Sequence, residues 1–294
     1  MKTQAGKPGM SNFLVRVLTS VPLVILTLAA VWLGSYWFMA FCAIIGALVL
    51  YEWGAITAIK QSRLTGIASF VCYAATVAAL FICLPKAQEE MLSSISMIWL
   101  GVLVAVVLLA VLSGRNAGWV AGGYLYAAIF MISMSTIRIH ADLWLTYAFF
   151  IIVWATDIGA YFCGRLIGGP KLAPRISPKK TWSGAIGGVF IAVLCYWIFL
   201  LLDAGKSYDL KAAILFSLAR AVNLLPFVLL LSVISQLGDL GESWLKRHFD
   251  AKDSGNILPG HGGVMDRVDG LVAASAAVYI YGIFIAVREI VRFG

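Results

Sequence analysis

Runs of about twenty residues with almost no charge recur along the chain, and they constrain its fold more than any other feature. Nine such runs are read, at roughly 17–34, 37–53, 64–84, 93–113, 118–137, 143–163, 184–202, 213–238 and 270–288. At about 1.5 Å of rise per residue, a helix of that length matches the roughly 30 Å hydrocarbon core of a bilayer. Lipid offers no hydrogen bonds, so a crossing backbone must satisfy its own N–H and C=O groups, which favours helices. Composition agrees. The chain is 62% hydrophobic and 12% charged, against about 25% charged in a soluble domain. The predicted fold class is all-α, a polytopic transmembrane helical bundle of about nine spans.

Lysine and arginine choose the orientation. With nine spans and a cytoplasmic N-terminus, fifteen of these residues fall on the inside and six on the outside, leaving Arg220 unassigned. The first run lacks a small-residue cleavage site and is expected to remain as an anchor. The eighth contains Arg220, Asn223 and Pro226, so its early part is expected in the interface, with the crossing starting near Leu224. The net charge of +8 fits the positive-inside rule, and equally an attraction of anionic lipid and nucleotide to the cytoplasmic face. No basic patch interleaved with aromatics points to nucleic acid. The five cysteines show no C-x-x-C spacing and read as packing residues, and the three scattered histidines do not suggest zinc. The chain is divided at residue 140, with 1–140 as N-terminal transmembrane helices and 141–294 as a C-terminal transmembrane region that holds most of the charged residues and is expected to carry the functional site.

Two polar segments interrupt the apolar sequence. In the first, Asp157, Tyr161 and Arg165 share a helix face by their i, i+4, i+8 spacing. The helix should break near Gly168-Gly169-Pro170. A basic loop follows with Lys171, Arg175, Lys179 and Lys180, and Thr181-Trp182-Ser183 can cap the next helix. In the second, Asp239, Ser243 and Arg247 repeat the same spacing. Asp250, Asp253, Asp266 and Asp269 then alternate with Lys246, Arg247, Lys252 and Arg267 around Gly260-His261-Gly262-Gly263. Acids at the edge of a span cost about 2.5–3.5 kcal/mol at mid-membrane and are usually functional. The bland alternative pairs Asp157 with Arg165 and Asp239 with Arg247. Likewise Asp266 and Asp269 suit either a site or the capping of the last helix. Gly262 and Gly263 suit either a turn or a phosphate cradle at a helix start. Hydrogen bonding is the expected role of His261, and Glu52 either lines the site or reaches water.

The string SWLKRHFDAKDSGNILPGHGGVMDRVD, from Ser243 to Asp269, resembles over 27 positions the C-terminal motif of the phosphatidate cytidylyltransferases, also called CDP-diacylglycerol synthases. WATDIGAYFCGRLIGGPKLAPRISPKKTWSG, from Trp154 to Gly184, is also similar to that family. The resemblance implies transfer of the cytidylyl group of CTP to phosphatidate, giving CDP-diacylglycerol and pyrophosphate, with Mg²⁺ as cofactor and a second ion left open. It implies Asp239 and Asp266 as metal ligands and Asp269 as a third acid. Lys246 and Arg247 join these three acids as catalytic residues. Lys179, Lys180 and Arg175 would hold phosphates, and Ser243, Asp253, His261, Gly262, Gly263 and Arg267 complete the substrate-binding set. The implied setting is a bacterial inner membrane with the site facing the cytoplasm, CTP and phosphatidate as substrates, and a homodimer left open. Two alternatives are a CTP-dependent polyprenol or phytol kinase, and an ion-coupled transporter using Asp157 and Asp239. Pyrophosphate rather than CDP release separates the first, and the clustering of charge at one end of the spans argues against the second.

Overall fold

A computed structural model describes residues 12–57, 62–84, 91–204, 210–260 and 262–293. Nine α-helices are found among them: α1 (Asn12–Leu33), α2 (Ser35–Thr57), α3 (Arg63–Cys83), α4 (Met91–Ser113), α5 (Ala117–His140), α6 (Leu143–Leu166), α7 (Trp182–Ala204), α8 (Leu210–His248) and α9 (Met265–Phe293). They stand where the nine apolar runs were read. Seven segments are long and apolar enough to cross a membrane. One of them, Ser93–His140, holds both α4 and α5, joined by a 3-10 turn at Gly114–Asn116. The chain is an integral membrane protein. Its outward faces carry exposed Ile25, Leu103, Ile186 and Phe190, as a lipid-facing surface requires.

Helices in lipid gain little from burying apolar area, so close packing and hydrogen bonds must join them. Small residues serve α6 and α7. A Cβ on Gly184 would lie 2.7 Å from the Ala160 carbonyl, and one on Gly188 2.7 Å from the Thr156 carbonyl. Polar side chains link the other pairs. Thr156 donates to Ser232 at 2.8 Å (α6 to α8), and Ser133 to Ser275 at 2.7 Å (α5 to α9). The Trp99 indole donates to Tyr279 at 2.7 Å (α4 to α9), and the Thr76 and Tyr124 hydroxyls share a 2.7 Å bond (α3 to α5).

Three details depart from the expectations. The segment after α6 is a hairpin, β1 (Lys171–Ala173) antiparallel to β2 (Ser177–Thr181), rather than an irregular loop. Its Pro178 needs no ladder partner in a sheet of only two strands. Second, α8 runs unbroken for 39 residues with Pro226 inside it, extending well past the 213–238 run. Third, α9 starts at Met265, five residues before the apolar run, because backbone hydrogen bonding continues past the point where hydropathy falls. The break after α6 is where expected. Gly168 and Gly169 have φ of 67° and 102°, and the Thr181 hydroxyl caps α7 by accepting from Gly184 N–H at 3.1 Å. Away from the charged end, Ile152, Phe227, Leu231, Tyr279 and Ile283 help line an apolar cavity of about 680 Å³.

Candidate functional site

The polar residues gather where α6 and α8 end and α7 and α9 begin. Their organiser is Glu52, at the end of α2 and only 1% exposed. One carboxylate oxygen accepts the Val264 N–H at 2.8 Å, and the other accepts Met265 N–H at 2.7 Å and the Ser254 hydroxyl at 3.1 Å. A carboxylate is favoured there by the partial positive charge of the α9 N-terminus. Gly255 has no room for a side chain, since a Cβ would lie 2.7 Å from Glu52. At Gly263 it would meet the Ser254 hydroxyl.

Asp266 completes this end. One of its oxygens accepts the N–H groups of Ser254 at 3.0 Å and Gly263 at 2.9 Å, and the other receives Lys246 Nζ at 2.5 Å. The preceding Gly262 has φ of 86°, a conformation that disfavours side chains. The N–H groups of Gly263, Val264 and Met265 are thus taken by Asp266 and Glu52, which accounts for the glycine pair without a phosphate. His261 lies outside the described residues.

A second group of acids forms between α8 and α9. Asp239, Glu242 and Asp269 each offer a carboxylate oxygen, all within 4.8 Å of one another. The approach depends on Gly238, whose Cβ would lie 2.7 Å from the Asp269 carbonyl, and on Gly270, whose Cβ would lie 2.9 Å from Ser235 Oγ. Glu242 is 4% exposed and Asp269 9%. Two ionised carboxylates at this spacing repel by roughly 3–4 kcal/mol at an effective dielectric of about 20. Lys246 reaches Glu242 Oε2 at 3.1 Å, whereas Oε1 is buried and receives no N–H or hydroxyl donor among the described residues. Hard oxygen donors, mutual repulsion and an orphaned buried oxygen together fit a divalent cation of the magnesium or calcium type.

Of Asp239 and Asp266, only Asp239 belongs to the converging group, while Asp266 is engaged by Lys246 and two backbone N–H groups. Sequence reasoning omitted Glu242, although its position three residues after Asp239 puts both on one helix face.

Basic residues border the acids. Lys180 on β2 pairs with Asp239 at 2.6 Å, and Ser243 Oγ lies 3.5 Å from the same carboxylate. Arg247 donates to the carbonyls of Ile176 at 3.4 Å and Ala251 at 3.2 Å, tying the hairpin to the turn after α8. Lys179 and Arg175 are exposed on the hairpin, and Asp253 and Arg267 are exposed near the start of α9. Asp157 is within electrostatic reach of Asp239, Lys180 and Arg267. The simpler pairings are not formed: Arg165 bonds the Tyr161 hydroxyl, and Asp239 meets Lys180 rather than Arg247.

Comparison with known proteins places this arrangement among relatives. Residues 14–285 match the model of the cytidylyltransferase family. The chain is 41% identical over 288 residues to the phosphatidate cytidylyltransferase of Brucella suis biovar 1 (strain 1330), covering 96% of this chain and 97% of the relative. It is 32% identical over 262 residues to the phosphatidate cytidylyltransferase of Staphylococcus haemolyticus (strain JCSC1435), covering 87% and 93%. To the Bacillus subtilis (strain 168) protein of the same name it is 46% identical over 138 residues, covering 46% of each chain.

Proposed function

The chain belongs to the cytidylyltransferase family, and from that premise we propose that it joins CTP to phosphatidate, releasing CDP-diacylglycerol and pyrophosphate. The observation that carries the reading is the convergence of Asp239, Glu242 and Asp269 between Lys180 and Lys246 at one end of the bundle. Two polyanions meet in this reaction. An oxygen of the lipid phosphate attacks the α-phosphorus of CTP. The bond from that phosphorus to the bridging oxygen breaks, and pyrophosphate leaves with the electron pair. A phosphate monoester has a second pKa near 6, so the nucleophile is largely deprotonated at neutral pH without a strong general base.

The remaining work is positioning and charge neutralisation. Lys180 lies 2.6 Å from Asp239, which holds its ammonium beside the acids and available to a phosphate. Lys179 and Arg175, exposed on the same hairpin, extend that positive surface outward. Arg247 braces the hairpin through the Ile176 carbonyl. Lys246 fixes Glu242 and Asp266 together. Asp239, Glu242 and Asp269 would hold the divalent cation, here taken as Mg²⁺. When bound, it supplies neutralisation of the charge that develops on the leaving pyrophosphate.

On the lysine and arginine distribution, the bundle makes nine crossings with its N-terminus and its site in the cytoplasm of a bacterial inner membrane. Helices α6–α9 carry the chemistry, and α2 contributes Glu52. The test uses purified protein in mixed micelles with phosphatidate, Mg²⁺ and CTP labelled at the α-phosphorus. Label in the lipid and stoichiometric pyrophosphate are expected. Release of CDP, with label remaining in the nucleotide, would overturn the reading in favour of a kinase.

A further inference from the structure

Tyr126 on α5 stands level with the acid cluster: Ser133, two turns further along α5, bonds Ser275 of α9 at 2.7 Å, and Asp269 lies nearly as far before Ser275 on α9. The Trp53 indole donates to the Trp119 carbonyl at 2.9 Å and lies against Tyr126, with ring centroids 5.3 Å apart. A side chain on Gly123 would collide with the same indole. These contacts fix the Tyr126 ring. Its hydroxyl oxygen is buried and has no hydrogen-bond partner among the described residues. The charges that act on it are those of Asp269, Glu242 and Asp239, the members of the cluster. Two further buried atoms around the cluster share this condition. One is Glu242 Oε1; the other is the hydroxyl of Ser235, one turn before Asp239 and against Gly270. Buried polar groups are nearly always hydrogen-bonded. Two donors and one acceptor left open around the same carboxylates point to an oxygen-rich occupant rather than to independent defects.

We infer that Tyr126 is a further residue of this site, its hydroxyl donating to an oxygen atom carried by the cation that Asp239, Glu242 and Asp269 hold. That oxygen belongs to water in the resting enzyme and to a substrate phosphate during turnover. The second half of the statement rests on the function proposed above, whereas the first rests on the geometry alone. Tyr126 is a positioning residue with respect to the cation. It sets the orientation of the oxygens around the ion and links α5 to the chemistry carried by α8 and α9. Partners of this kind typically change metal affinity about ten- to hundredfold when removed.

The test is Mn²⁺ binding to purified, substrate-free protein, read by electron paramagnetic resonance, for the wild type and for Tyr126→Phe, Glu242→Gln and Tyr124→Phe. Tyr124 is two residues away, and its phenol bonds Thr76 within the N-terminal core, so its variant controls for loss of a buried hydroxyl. The expected order is a wild-type and Tyr124→Phe affinity that agree, a Tyr126→Phe affinity about ten- to hundredfold weaker, and no saturable binding in Glu242→Gln. A thermal midpoint without metal that is unchanged in Tyr126→Phe, with a smaller rise on adding Mn²⁺, would separate the effect from misfolding. Wild-type affinity in Tyr126→Phe while Glu242→Gln is defective would overturn the role of Tyr126 and leave the cation site standing. Equal weakening in Tyr124→Phe would assign the loss to packing and overturn it as well. Normal binding in Glu242→Gln would sink the cation site itself, and with it the metal assignment of the proposed function.

Discussion

Asp239 and Asp266 are alike in the sequence and unlike in the structure, and the difference can be measured. Asp239 lies in the three-carboxylate group and holds Lys180. Asp239→Asn should therefore weaken the dependence on Mg²⁺ and lower turnover by orders of magnitude, with little loss of stability, since a repelling charge is removed. Asp266 instead accepts two backbone N–H groups and Lys246. Asp266→Asn should lower the thermal midpoint, since hydrogen bonds to charged groups contribute about 1.5–3 kcal/mol, and leave the affinity for Mg²⁺ nearly unchanged. Matched magnesium titrations of both variants decide the point, and equal shifts in Mg²⁺ affinity would contradict the separation. Glu52→Gln should act like the second class. It places an amide donor against N–H donors at Val264 and Met265, so their amide hydrogen exchange should speed up. Asp250 makes a smaller case. It holds φ of 55° where α8 ends, with Ala251 N–H on the Lys246 carbonyl and Asp250 N–H on the Arg247 carbonyl, a closure that glycine makes with less strain. Asp250→Gly should raise stability by about 0.5–1 kcal/mol, the relief of roughly 1–2 kcal/mol of left-handed strain less the entropic cost of glycine, seen as a higher thermal midpoint with unchanged activity.

At the scale of elements, much was legible because lipid enforces it. A backbone in hydrocarbon must be helical, so the apolar runs marked α1 to α9. Helix ends were less legible, as at α9, because hydropathy reports lipid exposure and not backbone hydrogen bonding. The hairpin β1–β2 was hidden by Pro174 and Pro178, which weaken any strand signal although a two-stranded ribbon tolerates them. In the site, Glu242 was recoverable from helical spacing alone. The capping of α9 by Glu52 was not, since it joins residues more than 200 positions apart, Glu52 to Val264 and Met265. The glycines of α7 carry a prediction at this scale. Gly188→Ala puts a methyl group 2.7 Å from the Thr156 carbonyl, forcing α6 and α7 apart at a cost of about 1–3 kcal/mol. Because the hairpin that carries Lys180 connects these helices, turnover should fall together with the thermal midpoint. Gly66→Ala, where nothing lies within 4 Å, should lower neither, since alanine is the better helix former.

For the whole molecule, contacts between helix ends fix which of them lie together at one end of the bundle. The C-terminal ends of α2, α6 and α8 and the N-terminal ends of α5, α7 and α9 meet at the site, through Glu52 with Met265, Lys180 with Asp239, and Trp119 with Phe249. The opposite end carries His140, where α5 turns into α6. Two substrates of opposite solubility are thereby served at one face, the nucleotide from water and the lipid from the adjoining leaflet. On the proposed orientation, read from the excess of lysine and arginine, that face is the cytoplasmic one. Cysteines introduced singly at Asn256 and His140, both exposed, into a chain lacking the native five test this. In intact cells a membrane-impermeant maleimide should label His140→Cys and spare Asn256→Cys, and both should react once the membrane is opened. The reverse pattern would turn the bundle over and leave the site facing a compartment without nucleoside triphosphate, which the proposed reaction does not survive.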